Sequence, residues 1–462
     1  MTASKASIPN YRGRNYLARN REFFRDPLHF AVDKYPDFGD FFRSHLLLRN
    51  IFFVSRPEGI KQVLQTQQKH YRKSPAYDQL KLALGNGLVT SEGDFWRQQR
   101  RLAQPAFYKT QLEAIYRMMQ EVTEKYLDDF AQRQERQTTF NIAEEMMKVT
   151  ADIVLASLFH ARLEEGGDTY DKLYRTVHDT QEYILYCVHH PHLIPWTYLN
   201  GQRRQFFRDL RVFDDIVYRM IEERERSDQP PPDLLTMLIQ ARDADTGQGM
   251  TARQLRDEAI TIFAAGHETS ANALSWTLYL LVEHPAILAR LREEVDAVLG
   301  DRTPTMADLR ELTYTKQVIE EGMRHYPPAW ALGREALQDT EILGERIPRK
   351  SIVFMNVYAL HHHPEYWEAP QRFDPDRFAP ERVKQRSRWQ YLPFGAGPRM
   401  CIGNHFALME MQLLLALLVR RYDFQLVSDR PVAMQPLITL KPKGGIWMRA
   451  KKRQPQPLPN TP

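Results

Sequence analysis

Ten consecutive residues, Phe394–Gly403 (FGAGPRMCIG), carry the strongest chemical signal in the chain. Two glycines, a proline and an arginine lead into a cysteine, Cys401, and a helical stretch, Asn404–Arg420, follows. A cysteine just ahead of a helix faces free backbone N–H groups and the positive end of the dipole, and both favour a thiolate. Gly395 and Gly397 permit a tight bend, while Gly403 lets something bulky approach closely. For a cysteine alone, a buried structural role is the commoner outcome. The ten-residue arrangement weighs against that role for Cys401.

Two further constellations are independent in position. Glu321 and Arg324 stand three residues apart on a short helix that Pro327-Pro328 ends, so both lie on one face. Glu320 is four residues from the same arginine, and spacing alone does not choose between the two glutamates. An isolated pair of this kind is usually exposed and worth a few tenths of a kcal/mol. Ala265-Gly266-His267-Glu268-Thr269 lies inside the longest helical pattern, where glycine costs up to about 1 kcal/mol relative to alanine. A threonine hydroxyl freed from normal helical bonding could hold a water or dioxygen, and a neighbouring carboxylate could relay protons. By contrast, His361-His362-His363 cannot all face one centre, because strand neighbours alternate sides. Cys187, near His189, His190 and His192, reads as a small buried hydrophobe.

The segment Phe394–Gly403 resembles the haem-binding loop of the cytochrome P450 family: Phe, two residues, Gly, any, Arg, any, Cys, any, Gly. The resemblance implies haem b (Fe-protoporphyrin IX) with Cys401 as axial ligand, Arg399 at a propionate and Phe394 shielding the sulfur. It implies that Glu321 and Arg324 form a buried brace, with Arg377 of Phe373-Asp-Pro-Asp-Arg377-Phe as third member. Glu268 and Thr269 would deliver protons to the oxygen being activated, and Gly266 would leave room over the haem. Trp96 and Arg100, one helical turn apart, and Arg334 match further propionate-binding positions. The resemblance extends from about Asn10 to about Arg449. It implies a mainly α fold, with a large helical domain, a long central helix across the haem and a small β-rich region.

The elements that must position these residues are largely helical. Stretches 111–130 and 141–160 place apolar side chains at spacings of three and four. Thr251 and Gln254 fit a capping box opening a helix that runs to Glu283, about 50 Å long, with Asp257 and Glu258 suited to its positive end. Strand-like stretches are Asn50–Ser55, Ser351–Asn356 and Phe424–Val427. Length alone suggests two or three domains. No interior linker divides the chain, so one catalytic domain over residues 1–450 is expected, with a proline- and charge-rich disordered tail over 451–462.

Composition narrows the class. The 462 residues are 43% hydrophobic and 26% charged, as in ordinary globular proteins. Sixty-three basic against 58 acidic residues leave +5, too diffuse a bias for nucleic acid. Two cysteines cannot make a disulfide framework. No run reaches the roughly 18 apolar residues that span a bilayer, and a cytoplasmic monomer without a membrane anchor is expected. The chain leaves no room for a fused reductase, so the resemblance implies a separate ferredoxin or flavodoxin with its reductase.

The expected reaction inserts one atom of O2 into a C–H bond or a C=C bond of a hydrophobic small molecule. A peroxide-dependent peroxygenase is the first rival, opposed by the Glu268-Thr269 pair, and a haem sensor or carrier is the second. The resemblance places Leu82, Leu88, Phe263, Ala264, Trp330, Leu332, Leu437 and Ile438 on pocket walls, an apolar set that suits an apolar ligand. AAGHETSANALSW and PPAW look closer to fatty-acid-hydroxylating members, and Arg49 would present a cation to a carboxylate.

Overall fold

The computed structural model describes residues 8–46, 48–160, 180, 183–184, 186–187 and 193–453. Seven helices matter for function: α1 (Tyr16–Arg25), α2 (Gly93–Ala103), α3 (Lys109–Gln134), α4 (Ile142–Phe159), α5 (Ala252–Glu283), α6 (Thr313–His325) and α7 (Asn404–Arg421). The chain divides into two compact units, each assembled from three pieces of sequence.

The first unit takes Met1–Ala76, Glu320–Cys401 and Met434–Lys441. Its sheet has six strands: β1 (Asn10–Tyr11), β2 (Phe41–Leu46), β3 (Arg49–Val54), β4 (Tyr71–Lys73), β5 (Ala331–Ala336) and β6 (Ile352–Asn356). Their order is β1-β2-β3-β6-β5-β4. β-Branched and aromatic side chains suit such a pleated, half-buried surface. Phe42 on β2 stands opposite Phe53 on β3, and their rings stack at 4.8 Å. β6 joins β3 in parallel, with Ile51 opposite Ile352. Phe52, Val54, Val353, Met355 and Leu392 share the core beneath the sheet.

The second unit takes Tyr77–Ile319, Ile402–Ala433 and Pro442–Pro462. α5, 32 residues long, is its axis, and both halves of the Thr251–Gln254 capping box are made. α4 and α7 pack on α5, and α3 packs on both. The expected helices at 111–130 and 141–160 therefore appear as α3 and α4. The run from Met411 to Val419 on α7 is buried throughout, because this helix has no side facing water along that stretch.

A second sheet orders Tyr422–Leu426, Trp447–Lys452 and Thr139–Asn141. Lys451 and Lys452 pair with Asp423 and Tyr422, so the expected tail begins too early. A lysine can serve an antiparallel ladder through its backbone while its side chain stays in water. The rest of that tail, 454–462, lies outside the described residues, as do His189, His190 and His192. Cys187 is buried, as expected.

Candidate haem-thiolate site

The cysteine loop is closed by its own backbone. Cys401 N–H donates to the Phe394 carbonyl at 2.9 Å, and Met400 N–H to Gly397 at 3.1 Å. Gly395 and Gly397 have φ of +67° and +69°. A Cβ on Gly397 would stand 2.0 Å from the Leu64 carbonyl oxygen, so only glycine fits there. Cys401 is exposed and immediately precedes the segment that leads into α7. Phe394 and Arg399 are half-buried in the same loop.

Beneath the loop lies a buried polar knot. Arg324 forks onto Glu321 through Nε and Nη2 at 2.7 and 2.8 Å, and both side chains are wholly buried. Arg377 Nε approaches the same carboxylate at 3.4 Å, and the Asp374 N–H donates to it at 2.9 Å. The choice that spacing left open falls on Glu321. Burial pushes its pKa up, but the bonds from Arg324 and His325 outweigh this and hold it at about 2.

Arg324 also donates to the His361 carbonyl at 2.9 Å, and His361 Nε2 accepts from the Leu392 N–H at 2.9 Å, two residues before Phe394. Burial drives His361 far below its ordinary pKa and His362 to about 3. The histidine triplet is therefore a neutral packing and hydrogen-bonding element.

Arg334 on β5 is buried, donates to the Gly333 carbonyl at 2.9 Å, and has no carboxylate partner among the described residues. Arg49 behaves oppositely to expectation. Its guanidinium, together with that of Arg72, pairs with the buried Glu335. A cation already bound to a carboxylate in the same sheet is poorly placed to serve a ligand.

In the second unit, α5 runs unbroken through Ala265–Thr269. Ile262, Ala265, Gly266 and Thr269 fall at helical spacing on one face, and all four keep accessible surface although most of the helix is buried. The Thr269 hydroxyl donates to the Ala265 carbonyl at 2.8 Å. It is thus not freed from helical bonding; its oxygen keeps lone pairs with which to accept. Glu268 and His267 are buried, and His267 Nδ1 lies 2.8 Å from the Phe263 carbonyl. Trp96 is buried and Arg100 half-buried on α2, one turn apart. Gly403 has Phe107 3.8 Å from the position of a Cβ.

Asp257 and Glu258 lie beyond the first turn of α5 and are buried, so they do not serve the dipole as expected. They clamp a glycine turn instead. Asn86 N–H donates to Asp257 at 2.8 Å and Leu88 N–H to Glu258 at 3.1 Å. Arg256 ties Asp214, Asp257 and the Ala83 carbonyl together. A Cβ on Gly85 (φ +60°) would meet the Asp257 carboxylate at 2.1 Å. Sequence reading also missed Glu410 on α7. It is fully buried, and neither oxygen has a hydrogen-bond partner among the described residues. Burial pushes its pKa to about 8, with Ser270 pulling weakly downward. A lone acid amid FALMEMQLLLALLV was the available signal.

Of the expected pocket residues, Leu82, Leu88, Ala264, Leu332 and Leu437 are half-buried and Ile438 is exposed. Trp330 is buried, with Nε1 donating to the Leu437 carbonyl at 2.9 Å. Phe263 is fully buried and stacked on His267 at 4.8 Å, so it belongs to core packing and offers no ligand surface.

The donor chemistry of the first unit fits a haem: an exposed cysteine stands in a glycine-cradled loop, and the buried Arg334 has no carboxylate partner among the described residues. Within the second unit, Ala265, Gly266 and Thr269 keep accessible surface on one face of α5.

Comparison with known proteins gives the family. The pattern described as Cytochrome P450 matches residues 15–449. A cyclooctatin synthase of Streptomyces melanosporofaciens is 32% identical over 90% of this chain and 89% of its own. A pentalenene oxygenase of Streptomyces avermitilis is 32% identical, covering 94% and 95%. The crystal structure of the cytochrome P450DA heme domain superposes with a TM-score of 0.86 at 26% identity, covering 97% of this chain and 98% of that one. The helical fold with its small β-rich region, and the match over nearly all the described residues, place this chain in the cytochrome P450 family of monooxygenases.

Proposed function

We propose that Cys401 is the axial ligand of a haem and that the protein hydroxylates or epoxidises a bulky apolar substrate of the terpenoid class. The observation that carries the first part is the loop itself. Gly397 abuts the Leu64 backbone, the Cys401 N–H closes on Phe394, and the sulfur is exposed just before α7. Haem, when bound, supplies the redox chemistry that activates O2. By the family likeness, Arg334 and Arg399, and separately Trp96 and Arg100, would hold its propionates. With its hydrogen donated to the Ala265 carbonyl, the Thr269 oxygen would be left to accept a hydrogen bond, and Glu268 would supply protons beside it. Two electrons come from a separate ferredoxin or flavodoxin with its reductase. Replacing Cys401 with serine is expected to abolish the red-shifted absorbance of the reduced CO complex; persistence of that band overturns the assignment.

Two observations support the substrate class. Cyclooctatin and pentalenene appear in the names of relatives matched along most of both chains. Arg49, which would have met a fatty-acid carboxylate, is bound to Glu335. Titrating the ferric spin state with a cyclic terpene hydrocarbon and with a long-chain fatty acid tests this. A shift with the fatty acid alone restores the lipid reading and removes this one.

A further inference from the structure

Leu392, two residues ahead of Phe394, is buried and lies in neither a helix nor a strand. No ladder carbonyl therefore serves its N–H, and a buried amide needs an acceptor. A side chain supplies it: His361 Nε2 accepts that bond at 2.9 Å. His361 ends the short helix Val357–His361, and the Asn356 side chain of β6 caps the start of that helix by accepting from the Ala359 N–H at 2.9 Å. The imidazole is wholly buried and lies against Tyr391, with ring centroids 5.1 Å apart and planes inclined by 29°. The Tyr391 hydroxyl in turn donates to the Glu320 carbonyl at 2.7 Å. One ring thus holds two adjacent residues at the entry to the cysteine loop.

The tautomer follows from that bond. A ring nitrogen that accepts carries no proton, so in the neutral imidazole the proton sits on Nδ1. Nδ1 has no hydrogen-bond partner among the described residues. A buried donor left unpaired is destabilising, and an apolar side chain of similar volume would leave none. Packing alone therefore does not account for a histidine here; the acceptor on its other nitrogen does. From Leu392 the restraint continues through the backbone. The Leu392 carbonyl accepts from the Gly395 N–H at 3.1 Å, closing a four-residue turn. Inside that turn, the Phe394 carbonyl accepts from the Cys401 N–H at 2.9 Å.

We propose that His361 is a positioning residue for the cysteine loop: its Nε2 fixes the Leu392 amide and, through the Leu392–Gly395 turn, sets where the backbone of Cys401 stands. The proposal rests on Cys401 being the haem ligand. His361 acts through Leu392 and Phe394, and its effect is on how firmly the thiolate is presented.

The test follows the reduced CO complex of the haem-loaded protein, as the ratio of red-shifted to unshifted absorbance, in urea below the concentrations that unfold it by circular dichroism. His361→Leu leaves the Leu392 N–H without an acceptor and is expected to lower the ratio about fivefold or more at equal urea. His361→Gln, whose side-chain carbonyl accepts the same N–H, is expected to restore it. Phe53→Leu loosens a different core cluster of the same unit and is expected to leave the ratio unaltered. Should His361→Leu not fold, His361→Asn gives the same contrast with glutamine, because it stays polar but is too short to reach Leu392. A parental ratio in the leucine or asparagine variant, a glutamine variant as impaired as these, or an equal fall in Phe53→Leu overturns the proposal. A parent without the red-shifted band instead overturns ligation by Cys401, and the proposal with it.

Discussion

Glu410→Gln should flatten the pH dependence of stability. Glutamine copies the shape of the neutral carboxyl, so it removes a titration and little else. The carboxyl is raised from 4.5 to about 8 by burial. Between those values the folded state holds a proton that the unfolded chain releases, so stability falls as pH rises. Full ionisation in place would cost roughly 5 kcal/mol at 1.36 kcal/mol per unit. From about pH 6 to pH 9, Glu410 should therefore remove roughly 2–3 kcal/mol from the parent that the glutamine variant keeps. Urea unfolding of the haem-loaded protein, followed by far-ultraviolet circular dichroism at both pH values, measures the difference. Equal losses in parent and variant would refute the reasoning, since Glu410 would then be ionised or solvated within the fold.

Glu321→Gln strips the buried Arg324 of its counter-charge and should cost about 3–5 kcal/mol in urea unfolding. Because Glu321 is held at about 2, its contribution is complete above the ordinary carboxylate range and is lost as pH falls through about 2. The gap between parent and variant should accordingly shrink on acidification. Gly85→Ala drives a methyl into the Asp257 carboxylate and should destabilise by about 1–3 kcal/mol; unaltered thermal melting would show that the turn yields. Leu48→Gly relieves a left-handed leucine and should add about 1 kcal/mol of stability, read as a higher melting temperature.

Features set by near neighbours were legible in the sequence. The Thr251–Gln254 capping box needs only four residues, and it formed as expected. The Glu321–Arg324 pair also formed, and Arg377, named only by family likeness, stands 3.4 Å from the same carboxylate. Charges whose partners lie far along the chain were misread. Asp257 and Glu258 looked like dipole companions because their true partners, the Asn86 and Leu88 N–H groups, are about 170 residues away. Arg49 looked available because Glu335 is 286 residues distant. Periodicity places a residue on a face but does not say what covers it, which is why Phe263 was read as a wall and Glu410 went unnoticed.

The first unit also has a consequence in time. Its ladder joins β3 to β6, yet Tyr77–Ile319 lies between the pieces that carry them. At about 5–20 residues per second, the ribosome needs roughly ten to fifty seconds to add that stretch. Throughout, the edge bearing Ile51, Phe52 and Phe53 waits for Ile352 and its neighbours, an open strand edge of the kind that invites aggregation. The loop that carries Cys401 emerges later still, after both strands. On the proposed ligation by Cys401, haem loading would be a late event in the life of the nascent chain, and yield in a host is expected to rise with chaperone capacity.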